Sequence, residues 1–182
     1  MDTQKKVVTG AVLLCALFTL VFWIGTMYTK QINKVYTYQS AGFSFKYKPQ
    51  FKVEEKNHRE GFKTVTLLPI TQIASAVQSE EPRIQCVLFP NEKSMPILSW
   101  IQSEEYTHIM GRLIPGTSYP SVDIPHTEAL GFKTDGLYVS DHVVFVHAGQ
   151  IVDCSVDYLT LDDPLRMNFV AFIGNIKLSG EQ

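Results

Sequence analysis

The sequence predicts an α+β domain, an antiparallel β-sheet covered by helices on at least one face, preceded by one N-terminal transmembrane helix. Three observations predict it. The chain opens on a long uncharged apolar run. Short runs of alternating apolar and polar residues follow, punctuated by glycine and proline. Two later stretches instead repeat apolar residues at helical spacing.

The opening run, Val7 to Tyr28, reads VVTGAVLLCALFTLVFWIGTMY and carries no charged residue. At about 1.5 Å per residue it spans roughly 33 Å, enough for a hydrocarbon core of about 30 Å. Eleven of its residues are Val, Leu, Ile or Phe. Each favours insertion by about 0.3 to 0.6 kcal/mol, and the few threonines and glycines do not reverse that sum. Trp23 and Tyr28 stand toward one end, where amphipathic rings favour the interface. A cleaved signal peptide would have a shorter apolar core, about 7 to 15 residues, ending at a small-x-small site. Gly25-Thr26-Met27-Tyr28-Thr29 is a poor cleavage site, Leu14 rather than a small residue precedes Cys15, and the helix lacks the glutamate of a pilin. The expectation is an uncleaved signal anchor over residues 7–29, behind a tail of residues 1–6. Lys5 and Lys6 precede it and Lys30 and Lys34 follow it. A short tail before the span and a large folded part after it favour a cytoplasmic N-terminus. The C-terminal domain is then extracytoplasmic. Ala11, Cys15 and Thr19 share one helix face, a spacing that arises readily by chance in a lone anchor.

Residues 30–34 form a short polar link, and the domain runs from 35 to 182. Val35 to Tyr38 is β-prone. Phe43, Phe45 and Tyr47 alternate with Ser44, Lys46 and Lys48, so the aromatics share one strand face, and Pro49 ends the strand. Phe51–Lys56 and Phe62–Leu68 flank a loop with Gly61 near its end, a hairpin signal. Residues 71–82 are polar and read as a loop. Arg83 to Phe89 is a strand stopped by Pro90. Ser94 is a candidate cap and Pro96 suits a first helical turn. Ile97, Trp100 and Ile101 form one stripe that frays at Glu104 to His108. Residues 111–125 hold Pro115, Gly116, Pro120 and Pro125, and read as a surface excursion of a length that often carries binding. Ala129–Thr134, His142–His147 and Ile151–Leu159 are strands, the last two joined by Ala148-Gly149-Gln150. Asp163 and Pro164 cap a closing helix whose stripe is Leu165, Phe169, Phe172, Ile173 and Ile176. Gly174 ends it, and residues 176–178 add a short strand.

Four of these stretches, in this order, carry a family resemblance: YQSAGFSFKYKP (Tyr38–Pro49), ILSWIQ (Ile97–Gln102), VVFVHAGQIVDCSV (Val143–Val156) and FVAFIGNIKL (Phe169–Leu178). Together they resemble the opening aromatic strand, first helix, late hairpin and closing helix of the PsbP/Mog1-like domains. Lys48 stands between Tyr47 and Pro49, where that pattern often has the two adjacent, and the 111–125 excursion is proline-rich. The resemblance implies an α-β-α sandwich. The family holds photosystem accessory proteins, a small-GTPase-binding protein and many membrane-anchored bacterial proteins, and fold does not select among them. No binding residue transfers from it.

Composition narrows the function further. Of 182 residues, 45 % are hydrophobic and 19 % charged, with a net charge of −2, so there is no basic field to draw nucleic acid. The lysines between 46 and 63 are broken up by acids and read as solvated strand faces. Among the five histidines, His142 and His147 are five apart on one strand and point to opposite faces. There is no HExxH or paired-cysteine spacing, so no metal site and no cofactor is expected. Gly116-Thr117-Ser118-Tyr119-Pro120 lacks the second glycine of a nucleophile elbow. The paired acids are strand neighbours or, at Asp162-Asp163, a helix cap, so no catalytic residue is assigned. Cys86 shares a face with Ile84 and Leu88, and Cys154 with Val152, Val156 and Tyr158. Two buried thiols is the slightly favoured reading. In an oxidising compartment a disulfide is the alternative, if the Cα atoms lie within about 7 Å.

The expected protein is therefore a single-pass, membrane-anchored extracytoplasmic binding or accessory module, held to lipid through residues 7–29. Its partner would be a protein or small ligand, and Arg112, Tyr119 and His126 are the candidate interaction residues of the excursion. The runner-up is a membrane-tethered hydrolase using the 111–125 loop, which would require Ser118, a histidine and an acid to converge.

Overall fold

The structure is a computed structural model that describes residues 18–24, 26–27, 34–40, 42–70, 82–110, 112–116 and 118–179. Residues 18–24 and 26–27, within the predicted span, are helical. The rest of that span, most of the polar link and the loop at 71–81 lie outside the described residues. Among the described residues, no helix is long and apolar enough to cross a membrane.

Among the described residues, ten strands and three helices build the domain. In chain order they are β1 (Tyr36–Ser40), β2 (Phe43–Tyr47), β3 (Phe51–Asn57), β4 (Lys63–Pro69), β5 (Ile84–Pro90), α1 (Ile97–Ile101), α2 (Glu104–Met110), β6 (Arg112–Leu113), β7 (Ala129–Asp135), β8 (Val139–His147), β9 (Gln150–Tyr158), α3 (Pro164–Ile173) and β10 (Lys177–Leu178). All strand pairs are antiparallel. They form not one sheet but two: a seven-stranded sheet in the order β3-β4-β5-β9-β8-β7-β6, and a three-stranded sheet β1-β2-β10.

Strand alternation gives the large sheet two apolar faces. Ile84, Cys86, Leu88, Val143, Phe145, Val152, Cys154 and Val156 face α3 and the small sheet. Val87, Phe89, Phe132, Val144 and Ile151 face α1 and α2. Each large side chain buried this way contributes about 1.5–3 kcal/mol. The aromatic strand β2 belongs to the small sheet rather than the main one. Phe43 and Phe45 are buried, and Phe45 meets Phe172 of α3 edge to face at 4.7 Å between centroids. The alternation read from the sequence therefore places the aromatics correctly, under a helix, while the sheet they join is set by pairing with β10.

Local chemistry differs from expectation at two points. Ser94 does not cap α1; it sits at φ 48°, and Asn91 Oδ1 accepts instead from the Met95 amide at 2.8 Å. The stripe from Ile97 does not fray. It breaks at Ser103, whose hydroxyl accepts from the Tyr106 amide at 3.1 Å and so starts α2. Gly174 is the C-cap of α3, as expected, in a right-handed conformation with φ −65°. At the start of α3, Asp163 Oδ1 accepts from the Leu165 amide at 2.8 Å, the cap that Asp-Pro chemistry implies. The β8–β9 turn runs through Ala148 (φ 50°) and Gly149 (φ 73°), as a two-residue hairpin requires.

Cys86 and Cys154 are register partners on β5 and β9. Their Cα atoms lie 4.0 Å apart and the sulfurs are bonded, so the free-thiol reading is replaced by a cross-strand disulfide. Each cysteine was correctly placed on a buried face; only strand order put those faces side by side.

Candidate functional site

The excursion between α2 and β7 does not float free. Arg112 and Leu113 pair with Asp135 and Thr134, and farther on the Val122 amide donates to the Ala129 carbonyl at 2.9 Å. Both ends of the excursion thus run along β7, and the described residues 115–116 and 118–120 lie in the arch between them. Gly131 lies below that arch. Its amide donates to the Pro120 carbonyl at 2.8 Å, and a Cβ there would stand 3.1 Å from Val122 Cγ2. A side chain at 131 would require Val122 to give by a few tenths of an ångström.

Between this arch, β7–β8 and α3 opens a pocket of about 540 Å³, within the usual size range of small-molecule sites. Ile114, Val122, Val143, Phe169, Val170 and Ile173 supply much of its apolar lining, and Lys133, Asp141 and Arg166 supply charge. Asp141 is the hub. It accepts from Arg166 Nε at 2.6 Å and from the Tyr158 hydroxyl at 2.9 Å, and Lys133 Nζ stands 3.4 Å away. Lys133 also donates to the Tyr158 hydroxyl at 3.2 Å. That bond, and then the charge of Asp141, raise the Lys133 ammonium pKa, while the bond to Asp141 raises that of the Arg166 guanidinium. Two cations share one carboxylate, leaving a surplus positive charge beside an apolar cavity.

A second polar network lies on the other face of the sheet. Thr134, His142 and Asp153 sit on three adjacent strands, β7, β8 and β9. His142 Nδ1 is 3.0 Å from Asp153 Oδ1, and His142 Nε2 is 2.9 Å from Thr134 Oγ1. Phe132 stacks on the imidazole at 5.0 Å. The order hydroxyl–imidazole–carboxylate imitates a nucleophile, its base and an orienting acid. The exposures are 3 % for Thr134, 3 % for His142 and 0 % for Asp153, so no substrate reaches the hydroxyl. Burial, then the charge of Asp153, also raise the pKa of the neighbouring Tyr106 phenol and hold it protonated. This is a satisfied buried polar cluster joining the sheet to α2.

The three candidate interaction residues do not converge. Arg112 is exposed opposite Asp135, Tyr119 packs half-buried with its ring 5.9 Å from Phe132, and His126 is exposed in the turn at 124–127. They are spread along β7 from one end to the other, roughly 20 Å at the rise of a strand. Ser118 is exposed and lines the pocket. Among the described residues no hydrogen bond joins it to a histidine, and the imidazole of His142 lies on the other face of the sheet, committed to Thr134 and Asp153. Among the described residues no group of three His, Cys, Asp or Glu side chains could hold a metal ion. The pocket residues Gly131, Lys133, Asp141 and Arg166, and Tyr158 that bonds Asp141 and Lys133, were not read as a site in the sequence. Lys133 and Asp141 on otherwise apolar inward faces were the available signal.

No protein-family model matches the chain, and no curated protein matches it. Among solved structures, it is similar to the solution structure of cyanobacterial PsbP (CyanoP) from Synechocystis sp. PCC 6803. The TM-score is 0.53 at 8 % identity, over 81 % of this chain and 94 % of that one. The class this defines is a sheet-rich α+β fold of the PsbP type. At that identity the likeness carries the fold alone.

Proposed function

We propose that the chain is a membrane-anchored, extracytoplasmic binding module, tethered through residues 7–29, that engages its ligand or partner in the pocket between α3, β7–β8 and the 114–122 arch. The observation that carries this reading is an apolar cavity of about 540 Å³ bordered by Lys133 and Arg166 against the single acid Asp141. Such a site favours an amphipathic ligand, an apolar body with an anionic group, whether a small molecule or an acidic-apolar side-chain pair on a protein. The hydrolase alternative has less support, because the imidazole nearest in chemistry to a base is already occupied and buried.

The test compares the native chain with Val170→Trp, which narrows the pocket from an exposed helix position. Anilinonaphthalene sulfonate, an apolar ring system with an anionic group, serves as the probe. It is expected to bind the native chain and to be displaced in the variant. Proximity labelling from the anchored protein should recover a recurrent neighbour whose yield falls with the same substitution. Equal probe binding by both chains, with only random envelope neighbours labelled, would remove the proposal.

A further inference from the structure

The large sheet has two unlike ends. At one end lie the turns His58-Arg59-Glu60-Gly61, Asn91-Glu92-Lys93 and Ala148-Gly149, all polar or small. The register identifies the other end. Leu67 pairs with Ile84, Ile84 with Val156, and Val139 with Tyr158. The residues that leave the strands there are Ile70 after β4, Leu137 in the β7–β8 turn, and Leu159 and Leu161 after β9. They are 52 %, 76 %, 72 % and 67 % exposed, and Met167 in the first turn of α3, beside Leu161 and Arg166, is 64 % exposed. None of the turns at the opposite end holds an exposed large apolar residue among those described. Turns ordinarily carry polar residues, so three exposed leucines and an isoleucine in turns at one end only are not explained by folding.

The start of the domain lies at this same end. Tyr36 pairs with Tyr47, and Val35 shares a small cavity with Tyr47, Leu67 and Ile84. The chain that precedes Val35 therefore joins the domain at the leucine-rich end. Only residues 30–34 separate that point from the predicted span, a reach of roughly 17 Å at full extension. Resting on the anchored reading above, we infer that this end is a lipid-docking surface. The domain lies with Ile70, Leu137, Leu159, Leu161 and Met167 in the headgroup and acyl boundary of the same bilayer that holds residues 7–29. Apolar groups seated this way enter about 5–10 Å. The short tether keeps their local concentration high, so a modest affinity suffices. Charges nearby are mixed, Lys34, Lys46 and Lys48 with Asp135 and Asp162, so zwitterionic lipid is sufficient.

The test uses the full chain in vesicles of dibromophosphatidylcholine, whose bromines quench indole on contact. Native Trp23 reports the anchor. In a Trp23→Phe background, Leu159→Trp reports the docking end and Glu60→Trp the opposite end, while buried Trp100 supplies a constant background. Loss of most of the added emission at position 159, with none lost at position 60, is expected. Quenching of Trp23 without quenching at position 159 would overturn the docking surface and leave the anchor standing. An indole at 159 that is protected only as protein concentration rises would assign the end to a second copy and overturn it equally. Unquenched Trp23 would overturn both readings.

Discussion

Replacing both Cys86 and Cys154 by alanine removes the cross-link between β5 and β9, the strands at the middle of the large sheet. The bond closes a segment with a sequence separation of 68. In the chain-entropy model a loop of that length restricts the unfolded chain by about 4 kcal/mol. Both cysteines are 0 % exposed, so the small voids left by two sulfurs add to the loss. With a urea slope of about 2 kcal/mol per molar, the midpoint should fall by roughly 2 M. The assay is urea unfolding of the full chain in detergent, followed by circular dichroism, with the oxidation state verified by mass spectrometry. The native chain opened by reductant should unfold near the double variant. A double variant unfolding at the midpoint of the oxidised native chain would refute the reasoning, because the bond would then constrain nothing that folding must order. The bond also bears on location, since such bonds persist in oxidising compartments. Alkylation of thiols in intact cells should modify neither residue; a reduced pair there would count against an extracytoplasmic domain.

Two further predictions follow from the polar clusters. His142→Leu should destabilise the domain by about 3–5 kcal/mol, because the Asp153 carboxylate is then buried without its cation-capable partner; the double variant His142→Leu/Asp153→Leu should recover part of that loss in the same unfolding assay. At the surface, Glu55 accepts from Lys63 and from the Tyr38 hydroxyl (2.7 Å for the latter), joining the small sheet to β3–β4, and the Lys63 bond, then the Tyr38 bond, hold its pKa below the ordinary glutamate value. A depressed carboxylate pKa stabilises the fold above the unfolded value and loses that contribution as pH falls through the folded one. Thermal melts of the native chain should therefore drop on acidification below the usual glutamate range by more than those of Glu55→Gln, with the difference shrinking at high salt because Glu55 is well exposed.

Much of the fold was legible because its signals are local. Period-two alternation placed Phe43 and Phe45 on one buried face, and Asp163-Pro164 marked the start of α3 to the residue, since a cap needs only the next few amides. Glycine and proline marked the hairpin turns. Ser94 misled because a hydroxyl near a helix start caps only if the backbone turns toward it; Pro96 takes the cap position with no side-chain bond, and Asn91 holds the Met95 backbone just ahead of it. The excursion at 111–125 was recognised as irregular, yet its own candidates, Arg112, Tyr119 and His126, lie apart along β7.

What the sequence alone determined is which residues of the domain leave water: the alternating strand faces and the stripe of α3. Those choices depend on side-chain polarity and short-range spacing, which the chain carries with it. What only the tertiary structure decided is which faces meet. Strand order set β5 beside β9 and so bonded Cys86 to Cys154, and it set β7 beside β8 and so brought Lys133 to Asp141. The position of α3 over that pair then added Arg166 and closed the pocket. Pairing across tens of residues is chosen by the free energy of the whole packed core, and no local pattern encodes it.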